Sequence, residues 1–365
     1  MRRRATATLA AALLAVACER TAEPVRVGVI AGGAAGLIAA DAINAAGGVR
    51  GRPVAIVLDS LLAGDVTVEI GRAQSMVRHA GLVGVIGHGG SRESLAAAPV
   101  YNEARVLQIV PTGTSRLLER AGPWTLTLVP NDSVEGAFIA RFVAERLRAR
   151  TVVIFYVSTE YGIGLRDGLR GAFAGSAVRV LREQRYDASN DLGTLLDAAL
   201  LNGVPDVLVV AGQATEPGVI ARHLRGLRLP TQIVAGDGSD QLSALVAAGG
   251  AAADGIYVAT FWRPAGSADT ASQSFAQAFV GRFARPPSAV DALIYDAVLL
   301  LGAAVRAVGD DPAAIRRYVL ELGRSRPRFR GVTGEIGFGS GAGPPRLTMG
   351  VVRGESLVPV EPAFR

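Results

Sequence analysis

Apolar residues arrive in short unbroken runs, and segments with helical spacing separate them. From Val25 the chain reads VRVGVI, turns through Gly32, Gly33 and Gly36, and then places Leu37, Ile38, Ala42 and Ile43 on one helix face. That order predicts strand, turn and helix. The alternation continues through VAIVLD, LVGVIGH, RVLQIV, TVVIFYV, DVLVVAG, TQIVAG and GIYVAT, with long periodic segments over 133–150 and Ala289–Val308. Runs that are apolar throughout are strands covered on both faces, so the pattern predicts parallel sheets flanked by helices.

The opening unit recurs in kind at RTVVIFYVSTEYGIGLRDGLRGAF, where a second series begins near residue 151. A chain of 365 residues exceeds one ordinary core, and two series in it predict two doubly wound α/β lobes with parallel sheets. The last quarter turns to short strands and glycine-rich turns, GVTGEIGFGSGAGPP and LTMGVVRGESLVPV. A simple two-domain dehydrogenase does not need this β finish.

Composition removes some chemistry. The chain contains no lysine, so all 38 basic residues are arginine. Schiff-base catalysis and a Walker-type phosphate lysine are excluded. The N-terminus, MRRRATATLAAALLAVAC, sets arginines before an apolar stretch from Leu9 to Ala17 that is too short to span a bilayer. It reads as an export signal over residues 1–17. Cys18, the single cysteine, ends that stretch after LAVA and resembles the lipidated cysteine of bacterial lipoproteins, which makes 18–24 a lipidated linker. The net charge of +6 loses the three arginines of the signal, and the remaining ones are spread along the chain, which is no nucleic-acid footprint. The cluster Arg324 to Arg330 reads as a solvated connection.

Enzyme readings fare poorly. There is no G-x-S-x-G elbow, because GFGSG has its glycines in the wrong phase. His79, His88 and His223 are scattered and lack metal-chelating spacing, and His88 at a strand end reads as a structural group. An NAD-dependent oxidoreductase would use Gly33, Gly36 and Asp59, but Ala31 replaces the first glycine of G-x-G-x-x-G. The connector NAAGGVRGRP is also long where that fingerprint turns tightly. In GHGGSRES, by contrast, Ser91 follows a strand and a glycine pair at the start of a helix, where a hydroxyl and free N–H groups suit a carboxylate.

Seven stretches in register resemble the type I periplasmic solute-binding proteins, in the branched-chain amino acid (leucine-binding-like) receptor family of ABC transporters. They are DAINAAGGVRGRPVAIVLDS, VGVIGHGGSRES, LQIVPTGTS, STEYGIGLRDGL, TQIVAGDGSDQ, IYDAVLLLGAAVRAV and FRGVTGEIGF. The resemblance implies a Venus-flytrap with a three-segment hinge, crossing near Pro130 to Ser133, Ala259 to Trp262 and Gly334 to Phe338. One lobe is then 25–131 plus 261–335, and the other 132–260 plus 336–365. It implies a receptor without cofactor or metal, not an enzyme, in the periplasm or at the cell surface. Such a receptor hands a small polar solute, an amino acid or related amide or carboxylate, to an ABC permease and ATPase. A ligand sensor on the same fold, feeding a signalling partner, fits the same residues.

Carried over position by position, the family's carboxylate-binding serine falls on Ser91, and its carboxylate and ammonium turn on Thr112 and Thr114, of which Thr114 is the stronger candidate. The aromatic residue closing over the solute falls on Tyr161. The acid that pairs with the ammonium falls on Asp237, with Asp240 as the alternative. The turn after the first strand is much shorter here than in the family, which leaves one side of the pocket reduced.

Overall fold

The computed structural model describes residues 23–30, 32–59, 65–201, 203–263, 269–338, 347–360 and 364. The export signal and Cys18 lie outside the described residues. The first series runs β1 (Val25–Ile30), α1 (Ala34–Ala45), β2 (Val54–Asp59), α2 (Val66–Met76), β3 (Leu82–Ile86), α3 (Ser91–Ala104), β4 (Gln108–Val110) and β5 (Thr125–Thr127). The second runs α4 (Asp132–Arg141), β6 (Thr151–Val157), α5 (Glu160–Ala174), β7 (Arg179–Tyr186), α6 (Leu192–Leu200), β8 (Val207–Ala211), α7 (Thr215–Gly226), β9 (Gln232–Ala235), α8 (Leu242–Gly249) and β10 (Tyr257–Thr260). The chain then passes through α9 (Thr270–Phe283), α10 (Ala289–Val308), α11 (Pro312–Glu321), β11 (Phe329–Gly331), β12 (Gly334–Ile336), β13 (Thr348–Arg353) and β14 (Ser356–Pro359).

Two main sheets result. The first has the order β2-β1-β3-β4-β5 and is parallel throughout. The second has the order β14-β13-β10-β9-β8-β6-β7. Its core is parallel, but β13 runs antiparallel to β10 and β14 antiparallel to β13, so the expected parallel lobe carries an antiparallel edge. The turn explains the second of these reversals. Only Gly354, at φ +56°, and Glu355 separate the paired Arg353 and Ser356, and a two-residue loop can only reverse a strand. Within the two series, two strands lie outside the apolar runs: β5, and β7, whose sequence RVLREQRY is charged and lies at a sheet edge where water reaches it.

Helices cover both faces of each sheet. Ile30 and Val85 of the first sheet pack with Ala73, Met76, Ala97 and Tyr101 of α2 and α3, while α1 and α10 cover its other face. In the second, α4 and α5 lie on one side and α6, α7 and α8 on the other. The contact between α4 and α5 is close enough that a Cβ on Gly136 would stand 2.5 Å from the backbone of Gly168. Helix α10 starts from a full capping box, in which Ser288 Oγ accepts from the Asp291 N–H at 3.3 Å and the Asp291 carboxylate accepts from the Ser288 N–H at 2.9 Å. That start brings Ala289 and Val290 to the space between the sheets.

Candidate functional site

The strand ends of both sheets converge on one cavity of about 130 Å³. From the first sheet, β3 leads through Gly89 and Gly90 into α3. Gly90 is the N-cap and has no side chain with which to cap, so the first-turn N–H groups of α3 lack that partner. Ser91 is therefore the first helical residue. Its buried Oγ accepts from the Ser115 N–H at 3.1 Å, which leaves the Ser91 hydroxyl proton to donate. Thr112 is on the same wall and donates weakly to the Gly89 carbonyl at 3.4 Å.

Thr114 is placed elsewhere. It is 1% exposed, is not part of the cavity wall, and its hydroxyl has no hydrogen-bond partner. The Asp132 N–H donates to the Thr114 carbonyl at 2.8 Å, which draws this residue beneath the passage into α4. Of the two threonines, Thr112 lies on the cavity wall and Thr114 does not. A hydroxyl two residues along a tight turn faces where the backbone bonds of that turn send it.

Behind this wall His88 is fully buried, with Nδ1 against Glu69 and Nε2 3.0 Å from the Tyr101 hydroxyl. Burial lowers its pKa, against the pull of Glu69. Arg72 joins Glu69 at 2.9 Å to Asp59, with bonds of 2.9 and 2.8 Å. Asp59, the acid a nucleotide reading would assign to a ribose, is occupied by Arg72. His88 is structural, as expected.

The second wall comes from α5 and the loop after β9. Thr159 caps α5, accepting from the Gly162 N–H at 3.4 Å. In the first turn, the Tyr161 hydroxyl accepts from the Gly238 N–H at 3.0 Å. The Asp237 N–H donates to Glu135 Oε1 at 2.8 Å, while Asp237 Oδ1 has no partner. Burial pushes the Asp237 carboxyl up to about 6, with hydrogen bonds from Glu135 and Tyr161 holding it down and the Asp240 charge adding to the rise. Glu135 is raised well above the usual carboxylate range, first by burial and then by Asp237. Asp240 is committed already: it accepts from Arg263 Nη2 at 2.5 Å and from Thr260 Oγ1 at 2.8 Å.

Ser91, Thr112, Tyr161 and Asp237 thus share one cavity. Sequence reading missed Arg92, Glu93, Gln213, Gln241 and Phe261, which also line it. The signal was partly there, since Arg92 and Glu93 continue the helix start at Ser91, and Gln213 follows the end of β8. No residue from 32 to 45 lines the cavity, in keeping with a turn in which β1 ends at Ile30 and α1 begins at Ala34. Among the described residues no group of three His, Cys, Asp or Glu side chains could hold a metal ion.

Two α/β sheets that present their strand ends to one cavity are the arrangement of a two-lobed solute receptor. Residues 31–356 match the periplasmic binding protein family, and the chain belongs to that family. It is 26% identical over 313 residues to the Leu/Ile/Val-binding protein homolog 1 of Brucella abortus, covering 84% of this chain and 80% of that one. A Pseudomonas aeruginosa protein described as an amino acid binding protein is 27% identical over 210 residues, and the chain spans 55% of its length. The crystal structure of a leucine binding protein, LivK, from Thermotoga maritima superposes with a TM-score of 0.82 at 25% identity, covering 93% of this chain and 99% of that one. The family is one of solute-binding proteins rather than enzymes.

Proposed function

We propose that the protein captures an amino acid, or a related amide or carboxylate, between its two halves and delivers it to the permease and ATPase of an ABC importer. The observation that carries this reading is the meeting in one small cavity of Ser91 at an uncapped helix start with Asp237, which has an unpartnered carboxylate oxygen. The first suits a carboxylate and the second an ammonium, and the two groups come from different sheets. The relatives named for leucine, isoleucine and valine point the same way.

In this reading the lobes are 25–131 plus 261–335 and 132–260 plus 336–365, and solute shifts them towards closure. Ser91, Thr112, Tyr161 and Asp237 hold the solute. The mature chain works in the periplasm or at the cell surface, anchored through acyl chains on Cys18. Cys18→Ser should release it from the membrane fraction without detergent, and a wild type that already fractionates as soluble would remove the anchor.

A thermal-shift screen of the mature protein against amino acids, amides, small carboxylates and aromatic acids tests the central claim. A true ligand at 100 times its Kd adds ~2.7 kcal/mol of stability. A saturating rise with an amino acid supports the reading. The absence of any shift, with flat calorimetric titrations, overturns it.

A further inference from the structure

The start of α3 is covered by a carboxylate of the protein's own. Gly90, the N-cap, offers no side chain, and Glu93 stands at the third helical position, from which a glutamate can reach back to the residue before its helix. It does so here, with Oε2 2.8 Å from where a Cβ on Gly90 would stand. Glu93 also lines the cavity together with Gly90 and Ser91, so its carboxylate occupies the solute's side of the helix start and not the outer surface. The side chain is half-buried, and burial raises its pKa because the cavity wall strips part of its water. The positive end of α3 stabilises whichever carboxylate is there. It cannot serve two at once, since their like charges repel across a space from which water is excluded. A solute carboxylate arriving at Ser91 therefore has to move Glu93 aside.

We propose that Glu93 is an internal competitor for the solute's carboxylate, and so sets how far this receptor separates a free amino acid from a neutral relative that carries an amide in the same place. This rests on the amino-acid reading above and adds a residue that determines specificity within it. A carboxylate meets the charge of Glu93 at the helix start, whereas an amide has N–H groups that can donate to it. Glu93 thus narrows the preference for amino acids over their amides that Ser91 and the α3 start would give without it.

Isothermal titration of the mature protein with the standard L-amino acids finds the tightest of them. That amino acid and its α-carboxamide are then titrated into wild type, Glu93→Gln and Glu93→Ala, each variant checked for an unchanged circular dichroism spectrum. Both variants are expected to raise the ratio of amino acid to amide affinity about tenfold, because the competing charge is gone. Loss of a purely structural cap would weaken both ligands alike and leave the ratio where it was. A ratio unmoved or lowered in either variant overturns the competitor inference and leaves the receptor reading standing. Binding of no amino acid by wild type or by either variant overturns the two together.

Discussion

The Gly238 N–H donates to the Tyr161 hydroxyl at 3.0 Å and ties the start of α5 to the loop that presents Asp237. Tyr161→Phe keeps the ring and removes the acceptor, which leaves a mostly buried N–H unsatisfied. We expect a loss of about 1–3 kcal/mol in urea unfolding and weaker binding of any screened solute. An unfolding midpoint equal to that of wild type would show that the bond does not brace the loop.

Asp240 and Arg263 are 5% and 11% exposed, so each neutralises the other's buried charge. Removing one partner of such a pair typically costs about 3–5 kcal/mol, because the survivor stays buried and unpaired. Arg263→Met should lower the melting temperature strongly, and the double variant Arg263→Met, Asp240→Asn should recover part of the loss. A double variant less stable than the single one contradicts this account.

Asp132 lies at the start of α4 with both carboxylate oxygens buried and unpartnered. Burial raises its pKa to about 8, and the charges of Asp237 and Asp167 push in the same direction. The unfolded chain loses this proton near 3.8, while the native chain keeps it to about 8. Between those values unfolding releases a proton, so this group makes stability fall as pH rises. Asp132→Asn should flatten the decline seen by urea unfolding between about pH 5 and about pH 8. An undiminished decline in the variant would assign the slope to Glu135 and Asp237 instead.

Asp237 is raised to about 6, so at neutral pH it is mostly ionised and able to pair with an ammonium. Asp237→Asn should weaken a zwitterionic ligand roughly tenfold or more, and wild-type affinity should fall as pH drops through 6. Equal affinity in the variant would make Asp237 a bystander.

Local chemistry along the chain was enough for most of the scaffold. Unbroken apolar runs place β1, β3, β6, β8 and β9 in buried parallel sheets, because only such strands have both faces covered. The glycine pair before Ser91 marks the start of α3, and the few residues between Ile30 and the helical pattern mark the short turn there. The charged edge strand β7 was illegible, since its side chains face water on a scale that periodicity does not separate from a loop.

What the tertiary structure alone decided is which polar groups are free. Asp237 and Asp240 are near-identical candidates in the chain, yet Arg263, 23 residues beyond Asp240, occupies only the second. Thr112 and Thr114 differ in the same way, because a backbone bond to Asp132 draws one beneath the passage and leaves the other on the wall. A residue's type sets which bonds it can make, but the partner and the local dielectric come from segments that are distant in the chain, and those decide whether a carboxylate is spent, protonated or available.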